Sequence, residues 1–425
     1  MKGGKIVLNA NKYFERMPVP EYVFIKVDQD ARRGAAQRME KGSPVKAGQP
    51  IVFYSGEYDS VLFSSVSGVI EDYVALKDFG NKETEFVKIR TDGKQECWEG
   101  IKPPMINNRR DFLRAVESCG IRGIQGITLA TCLQMNREEL EGLDTLVINA
   151  AEWIEYGNAE SFVIKQEAEL LTDTIVLAMK HLGIGKCYIG VEAERKDAIA
   201  CLQWFIKEKS LEEKINVVPL TTGCPPGSDR LLVFETTGEL IDARMQPTDF
   251  NILVANILSF YVLGYYLRTG MPLITKLVSV IDREKGTSRD ILTPIGAPIK
   301  DIIEYCSDDG QPPAEIILGG YDVAHLLKNH DVPLGMDNMA VMIFDKGVSE
   351  PRIPSLKLCN ECGTCSDNCS AGLEPGKIYQ AFMRNDISAL RQLNPEACVE
   401  CGRCSYVCPD GRSIGYIVQI SKGMV

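Results

Sequence analysis

Over residues 1 to about 100 apolar side chains alternate with polar ones, and glycine or proline interrupts them every few positions. The stretch MEKGSPVKAGQPIVFYSGEYDSVLFSSVSGVIEDYVAL (39–76) therefore predicts short strands and hairpins in a small β-domain. From about residue 105 the pattern changes. A helix-like run, Asp111 to Cys119, stops at Gly120, and a buried strand follows from Thr145 to Ala150. Next come a long helical stretch (Ala159 to His181), a strand (Cys187 to Val191), a helix (Arg195 to Lys209) and a strand (Ile215 to Val218). That alternation argues for a parallel α/β sheet. The apolar run from Phe250 to Leu267 is nearly long enough to span a bilayer. Asn251, Asn256 and Ser259 interrupt it, and Asp249 and Arg268 flank it, so the expectation is a buried helix in the α/β core. Residues 271–345 return to short β-runs, including PLITKLVSV, ILTPIGAPI and AEIILGG, and predict a small β-rich domain. The prolines in the linker from Ser349 to Ser355 mark one more boundary.

Composition narrows the partners. The chain has 425 residues, 45% of them apolar and 25% charged, enough for several globular cores. A net charge of −11 with no basic block argues against nucleic acid as a partner. The first residues, MKGGKIVLNANKYFERM, lack the apolar core of a secretory signal. Of 15 cysteines, eight fall between Cys359 and Cys408 and the other seven are scattered singly, which predicts a reducing cytoplasm and one metal-binding segment. With only three histidines, His181, His325 and His330, imidazole-based metal sites and most histidine catalysis are poorly supplied.

The cysteine segment carries the strongest chemistry. Cys359-x2-Cys362-x2-Cys365-x3-Cys369 repeats as Cys398-x2-Cys401-x2-Cys404-x3-Cys408, the spacing of two [4Fe–4S] clusters in ferredoxins. Three thiolates two residues apart wrap three irons of one cubane, and the last cysteine of the other motif reaches the fourth. The expected sets are Cys359, Cys362, Cys365 and Cys408 on one cluster, and Cys398, Cys401, Cys404 and Cys369 on the other. Gly363 and Gly402 suit loops whose amides face inorganic sulfide, and Ser370 stands where the second motif has Pro409. Structural zinc takes four ligands, usually from two separated pairs, and fits triplets with a distant fourth thiol poorly.

Longer stretches resemble a family. GIRGIQGITLATCLQM (120–135), DTLVINAAEWIEY (144–156), TGCPPGSDRLL (222–232), GMPLITKLVSV (270–280) and the double cysteine motif occur in the order found in the C subunit of the Rnf ferredoxin:NAD oxidoreductase complex and its soluble, cobalamin-reductase-type relatives. The resemblance implies an α/β multidomain chain. It would comprise a barrel-sandwich (lipoyl-like) module at 1–104, a flavoprotein-like α/β domain at 105–269, a β-grasp domain at 270–348 and a ferredoxin-type domain at 349–425. The tip expected in the first module, Ser65-Val66-Ser67-Gly68, has no carrier lysine, so that module is read as structural.

In that family, as in the NADH-binding subunit of respiratory NADH dehydrogenases, the α/β domain binds FMN and NADH. A loop reading approximately G-L-G-G-A-G-F-P-T-H-V-K-L cradles the flavin phosphate with bare amides. Here Gly123, Gly126 and Thr131 match. Gln125 and Thr128 put side chains where glycine lets phosphate approach, Leu129 replaces an aromatic, and Gln134 replaces a lysine. The second motif keeps Asn149, Glu152 and Tyr156, but its second glutamate has become Ile154. The family's G-G-E reads Gly227-Ser228-Asp229, and Gly223 stands for the lysine before it. The resemblance assigns FMN and NADH contacts to Gly123, Gly126, Thr131, Asn149 and Glu152, while the departures predict a site that does not hold them with the family's competence. Two functions follow. One is an iron–sulfur subunit relaying electrons to a redox partner or membrane complex, cytoplasmic and peripheral to the membrane's inner face. The other is an NADH-oxidising FMN/iron–sulfur enzyme.

Overall fold

The computed structural model describes residues 15–27, 36–55, 59–78, 83–121, 142–152, 158–220, 229–241, 245–282, 285–307, 313–319, 324–327, 330–336, 340–344, 359–369, 371–398 and 402–424. The first module holds β1 (Glu15–Arg16), β2 (Tyr22–Lys26), β3 (Ala36–Arg38), β4 (Pro44–Val45), β5 (Pro50–Ser55), β6 (Asp59–Phe63), β7 (Gly68–Lys77) and β8 (Glu83–Thr91). Two antiparallel sheets, ordered β2-β8-β7-β4 and β3-β5-β6, close over Val23, Ile25, Ile51, Ile70, Val87 and Ile89. Alternation of buried and exposed positions along β2 and β8 puts one face of each strand into this core.

The expected hairpin tip at 65–68 is not a hairpin. β6 and β7 lie in different sheets, so residues 64–67 form a crossover between the two layers, and Ser64, Ser65, Val66 and Ser67 are buried. The Ser65 hydroxyl donates to the Ile295 carbonyl at 2.7 Å, pinning the crossover to the far end of the chain's third sheet. β1 goes further and pairs in parallel with a strand of that sheet, Glu15 opposite Ile291.

The α/β layer follows: α1 (Arg109–Ser118), β9 (Thr145–Asn149), α2 (Ala159–Leu182), β10 (Lys186–Glu192), α3 (Lys196–Glu208), β11 (Ile215–Leu220), α4 (Asp229–Thr237), β12 (Ile252–Asn256) and α5 (Ile257–Thr269). All four strands are parallel, in the order β11-β10-β9-β12. The Asn108 side chain caps α1 by accepting from Asp111 N, and Gly183 in the left-handed region ends α2. One expectation fails here. The run from Phe250 to Leu267 is not one helix but β12 joined directly to α5. The Asn256 side chain, at the end of the strand, accepts from Leu258 N at 2.7 Å and starts the helix. No described helix is long and apolar enough to cross a membrane.

The third unit contains β13 (Thr275–Asp282), β14 (Thr287–Pro294), α6 (Ile299–Cys306), β15 (Glu315–Gly319), β16 (Ala324–Leu326) and β17 (Ala340–Phe344). With β1 it makes a mixed sheet ordered β1-β14-β13-β17-β15-β16. The β-runs were legible in sequence, but α6, which packs Ile299, Ile302 and Ile303 on the sheet, was not. The last unit is helical and has its own core: α7 (Thr364–Asp367), α8 (Pro375–Met383), α9 (Ile387–Leu393), α10 (Arg403–Tyr406) and α11 (Ile414–Lys422).

Gly296 locks the first module to the third. Its φ is +86°, its carbonyl accepts from Phe24 N at 2.8 Å, and a Cβ there would stand 2.6 Å from the Phe24 carbonyl oxygen. Gly296→Ala therefore meets both left-handed strain and a backbone collision. It is expected to cost about 2 kcal/mol or more, measured as a lower midpoint in denaturant unfolding. A neutral result would mean that the two modules separate without cost.

Candidate functional site

The two cysteine motifs fold as copies of one unit. Gly363 (φ +81°) and Gly402 (φ +72°) each turn the chain into a one-turn helix, α7 or α10, that carries the third thiol, Cys365 or Cys404. In the first copy Ser366 N donates to the Gly363 carbonyl, Cys369 N to Ser366 and Gly372 N to Cys369; in the second, Ser405, Cys408 and Gly411 make the same three bonds. Each copy then enters a nine-residue helix, α8 or α11, whose second residue is glycine. A Cβ on Gly376 would stand 3.2 Å from Cys365 Sγ and 3.5 Å from Cys359 Sγ. One on Gly415 would stand 3.5 Å from Cys404 Sγ and 3.2 Å from Ser405 Oγ. Each glycine thus lets a helix start close against the thiols. Sequence reading missed this pair, although both lie at the same offset from the last cysteine of their motif.

The thiols of the two motifs mix. Cys369, from the first motif, lines one cavity of about 210 Å³ together with Cys398 and Cys404 of the second, with Leu373 and Gly415 closing its sides. On the other side Cys359 and Cys365 both face Gly376, and Asp410, two residues beyond Cys408, lies near enough to Cys362 for its charge to act on that thiol. Cys362 is exposed whereas Cys365 is buried. Amides already point at sulfur: Glu361 N donates to Cys359 Sγ at 3.4 Å and Leu373 N to Cys369 Sγ at 3.3 Å. Cys401 lies outside the described residues.

This donor set fits an iron–sulfur core. Soft thiolates, N–H···S bonds and a cavity between thiols from two motifs are what a cubane requires, since each sulfur binds a different corner iron.

A second candidate site lies at the carboxyl ends of the α/β strands. The order β11-β10-β9-β12 reverses chain direction beside β9, and crevices at such switch points are where open parallel sheets bind ligands. Asn149 and Asn256 stand there in register at the ends of β9 and β12. Asn149 Oδ1 accepts from Ala151 N at 3.2 Å. Glu152 is buried, and its carboxylate is already engaged: Oε1 accepts from Ser161 N at 2.8 Å and Oε2 from Glu160 N at 3.3 Å, so it caps the first turn of α2. Asn256 is a residue that sequence reading passed over as an interruption. Gly123, Gly126 and Thr131, with the departures at Gln125, Thr128, Leu129, Gln134 and Ile154, lie outside the described residues.

Beside Glu152, Glu160 is fully buried, and its Oε1 has no hydrogen-bond partner. Burial and the negative charge of Glu152 push its pKa well above the ordinary carboxylate value, and Glu192 adds to the effect. The folded chain therefore keeps a proton that the unfolded chain releases once pH exceeds the ordinary carboxylate range. From there stability falls as pH rises, until the folded pKa is passed. Glu160→Gln should remove this dependence. The variant gains on the parent as pH rises above the ordinary carboxylate range, by at most about 1.4 kcal/mol per unit, in denaturant unfolding followed across pH. Equal slopes for variant and parent would contradict a protonated Glu160.

At the cysteine site, Gly415→Ala should strip iron preferentially from the Cys398/Cys404 side and Gly376→Ala from the Cys359/Cys365 side. Each adds a methyl group to a filled space at a cost of about 1–3 kcal/mol. The iron and sulfide content of each variant, and of the double variant, measures this; full occupancy in the double variant would show that the close approach is unimportant.

Comparison with known proteins places these sites. The Nuo51 FMN-binding domain matches residues 116–263, and a 4Fe-4S dicluster domain matches residues 358–413. The C subunit of the proton-translocating ferredoxin:NAD(+) oxidoreductase complex of Clostridium ljungdahlii is 27% identical over 87% of this chain and 80% of its own length. The C subunit of the Na(+)-translocating ferredoxin:NAD(+) oxidoreductase complex of Acetobacterium woodii is 26% identical over 86% of this chain and 82% of its own. Among solved structures, an NAD+-reducing [NiFe]-hydrogenase in the H2-reduced state covers 74% of this chain at 15% identity. Its TM-score is 0.47 and the match spans 60% of that protein's chain, a likeness too loose to inform the fold. Over most of its length the chain is thus a homologue of the C subunits of Rnf-type oxidoreductase complexes, joining an FMN-binding-type α/β domain to a 4Fe-4S dicluster domain.

Proposed function

We propose that the chain is the iron–sulfur electron-transfer subunit of a membrane-associated oxidoreductase complex, handing single electrons to a docked redox partner. The observation that carries this reading is the cavity that Cys369 shares with Cys398 and Cys404, inside a helical unit with a core of its own. When bound, two [4Fe–4S] clusters supply adjacent one-electron carriers. The protein's residues do the rest. Cys359, Cys362, Cys365 and Cys408 hold one cluster and Cys398, Cys401, Cys404 and Cys369 the other. Gly376 and Gly415 admit the helices that close each site, and the amides of Glu361 and Leu373 stabilise thiolate charge. The exposed Cys362 puts the first-motif side toward a partner.

The four segments, 1–104, 105–269, 270–348 and 349–425, are read as a barrel-sandwich module, a flavoprotein-like domain, a β-grasp domain and a ferredoxin-type domain. The buried, lysine-free crossover at 64–67 supports a structural role for the first. A place at the cytoplasmic face of a membrane complex belongs to this reading, since the relatives are named as subunits of ion-translocating complexes.

A second reading, NADH oxidation through FMN, is favoured by the domain match over 116–263 and by Asn149 and Asn256 at the switch-point crevice. Against it stand a Glu152 carboxylate occupied by the α2 amides and, in the sequence, Gln125 and Thr128 at positions of the phosphate-loop motif that the family fills differently. Two lost charge-assisted phosphate contacts, each worth about 1.5–3 kcal/mol, weaken binding by roughly two to four orders of magnitude. Anaerobically purified protein should hold about eight irons and eight sulfides per chain. After incubation with excess FMN and desalting, flavin should wash out while dithionite still bleaches the clusters. One flavin retained per chain, with bleaching by NADH, would establish the second reading instead.

A further inference from the structure

The two cysteine sites look interchangeable in sequence, but one side chain makes them unequal. Arg403, between Cys401 and Cys404, is the only charged side chain among the described residues that line the Cys369/Cys398/Cys404 cavity. The equivalent position of the first motif is Thr364, uncharged, with its hydroxyl 3.4 Å from Cys362 Sγ. Arg403 is also a bridge. Its Nη2 donates to Asn368 Oδ1 at 3.3 Å, next to Cys369, and its Nη1 stands 3.9 Å from Glu235 Oε1 on α4. Both partners of that ion pair are largely covered, with side chains 14% and 13% exposed. Glu235 Oε1 and Arg403 Nε are buried without hydrogen-bond partners, so the attraction across the gap is one of charge.

Glu235 is firmly mounted. Leu231, Leu232 and Val233 bury α4 against the parallel sheet, and α4 approaches β10 closely because residue 190 is glycine; a Cβ there would stand 2.6 Å from Leu232 Cδ1. The helix begins at Asp229, directly after the 221–228 segment that carries the family's third motif.

We propose that Arg403 is a positioning residue that docks the Cys369/Cys398/Cys401/Cys404 site onto α4 through Glu235 and holds that site's reduction potential above that of its twin. The proposal rests on the two-cluster reading. Reduction adds one electron, supplied by a one-electron donor such as reduced ferredoxin, with no bond made or broken and no proton moved. The added negative charge is stabilised by a neighbouring cation and opposed by a neighbouring anion, most strongly where water is excluded. Arg403 and Glu235 therefore act on one cluster with opposite signs, whereas a merely structural contact has no sign. The Cys359/Cys362/Cys365/Cys408 site, with the uncharged Thr364 at the equivalent position, stays lower in potential.

The test is a potentiometric titration of the full-length, cluster-loaded protein followed by EPR, in the parent and in Arg403→Gln, Glu235→Gln and Arg403→Lys. Arg403→Gln should lower one midpoint and leave the other in place, Glu235→Gln should raise that same midpoint, and Arg403→Lys should restore most of it. Arg403→Lys and Glu235→Gln keep the test decisive if Arg403→Gln fails to load iron. Shifts of the same sign in Arg403→Gln and Glu235→Gln, or equal shifts of both clusters, would overturn the proposal. Parent protein with about eight irons and midpoints insensitive to every substitution would overturn it alone, whereas parent protein holding zinc and no sulfide would overturn the two-cluster reading beneath it.

Discussion

Cys369 belongs by sequence to the first cysteine motif and by position to the second motif's cavity, and the carboxyl-terminal unit is organised around that exchange. A site completed by a distant thiol cannot form until both motifs and the helices between them are in place. The repeat therefore folds as one body, with Ile378, Tyr379, Leu390, Ile414 and Val418 in a single core. Gly376 and Gly415 follow from the same demand, because the helix after each motif must begin within van der Waals contact of the thiols. Two metal-binding loops that kept their own cysteines would need neither the shared core nor the glycines.

The remaining units supply a platform for this body. Among the ties between the N-terminal module and the mixed sheet are the β1–β14 pairing, the Ser65 hydroxyl on Ile295 and the left-handed Gly296 under Phe24. The parallel sheet contributes α4, whose Glu235 meets Arg403, and a crevice where Asn149 and Asn256 align. In that crevice the Glu152 carboxylate serves the first turn of α2, and burial raises the pKa of Glu160 beside it.

What the sequence disclosed is what local chemistry enforces. Thiol spacing is set by the geometry of one loop around one cluster, so the 4Fe-4S dicluster segment was legible. So were the β-branched strands at 145–149, which is buried, and at 215–220, whose apolar runs are short and bounded. The strand β12 was hidden because Asn256 ends it and caps α5 at once, leaving no turn residue between two apolar segments of different period. Helix α6 was masked by the β-runs on either side of it. The crossover at 64–67, the lending of β1 to a sheet some 270 residues away, and the meeting of Arg403 with Glu235 are contacts between distant parts of the chain. A reading by period and spacing does not reach them.

The central claim is that each cysteine motif lends its last thiol to the other's cluster, and paired cysteine substitutions test it most directly. Crossed ligation predicts that Cys359→Ser with Cys408→Ser damages one cluster and leaves about four irons per chain with the EPR signal of the other intact. Cys398→Ser with Cys408→Ser should damage both. The contradicting result is the reverse: both clusters lost in the first pair and one intact cluster in the second, which would show that each motif keeps its own fourth thiol.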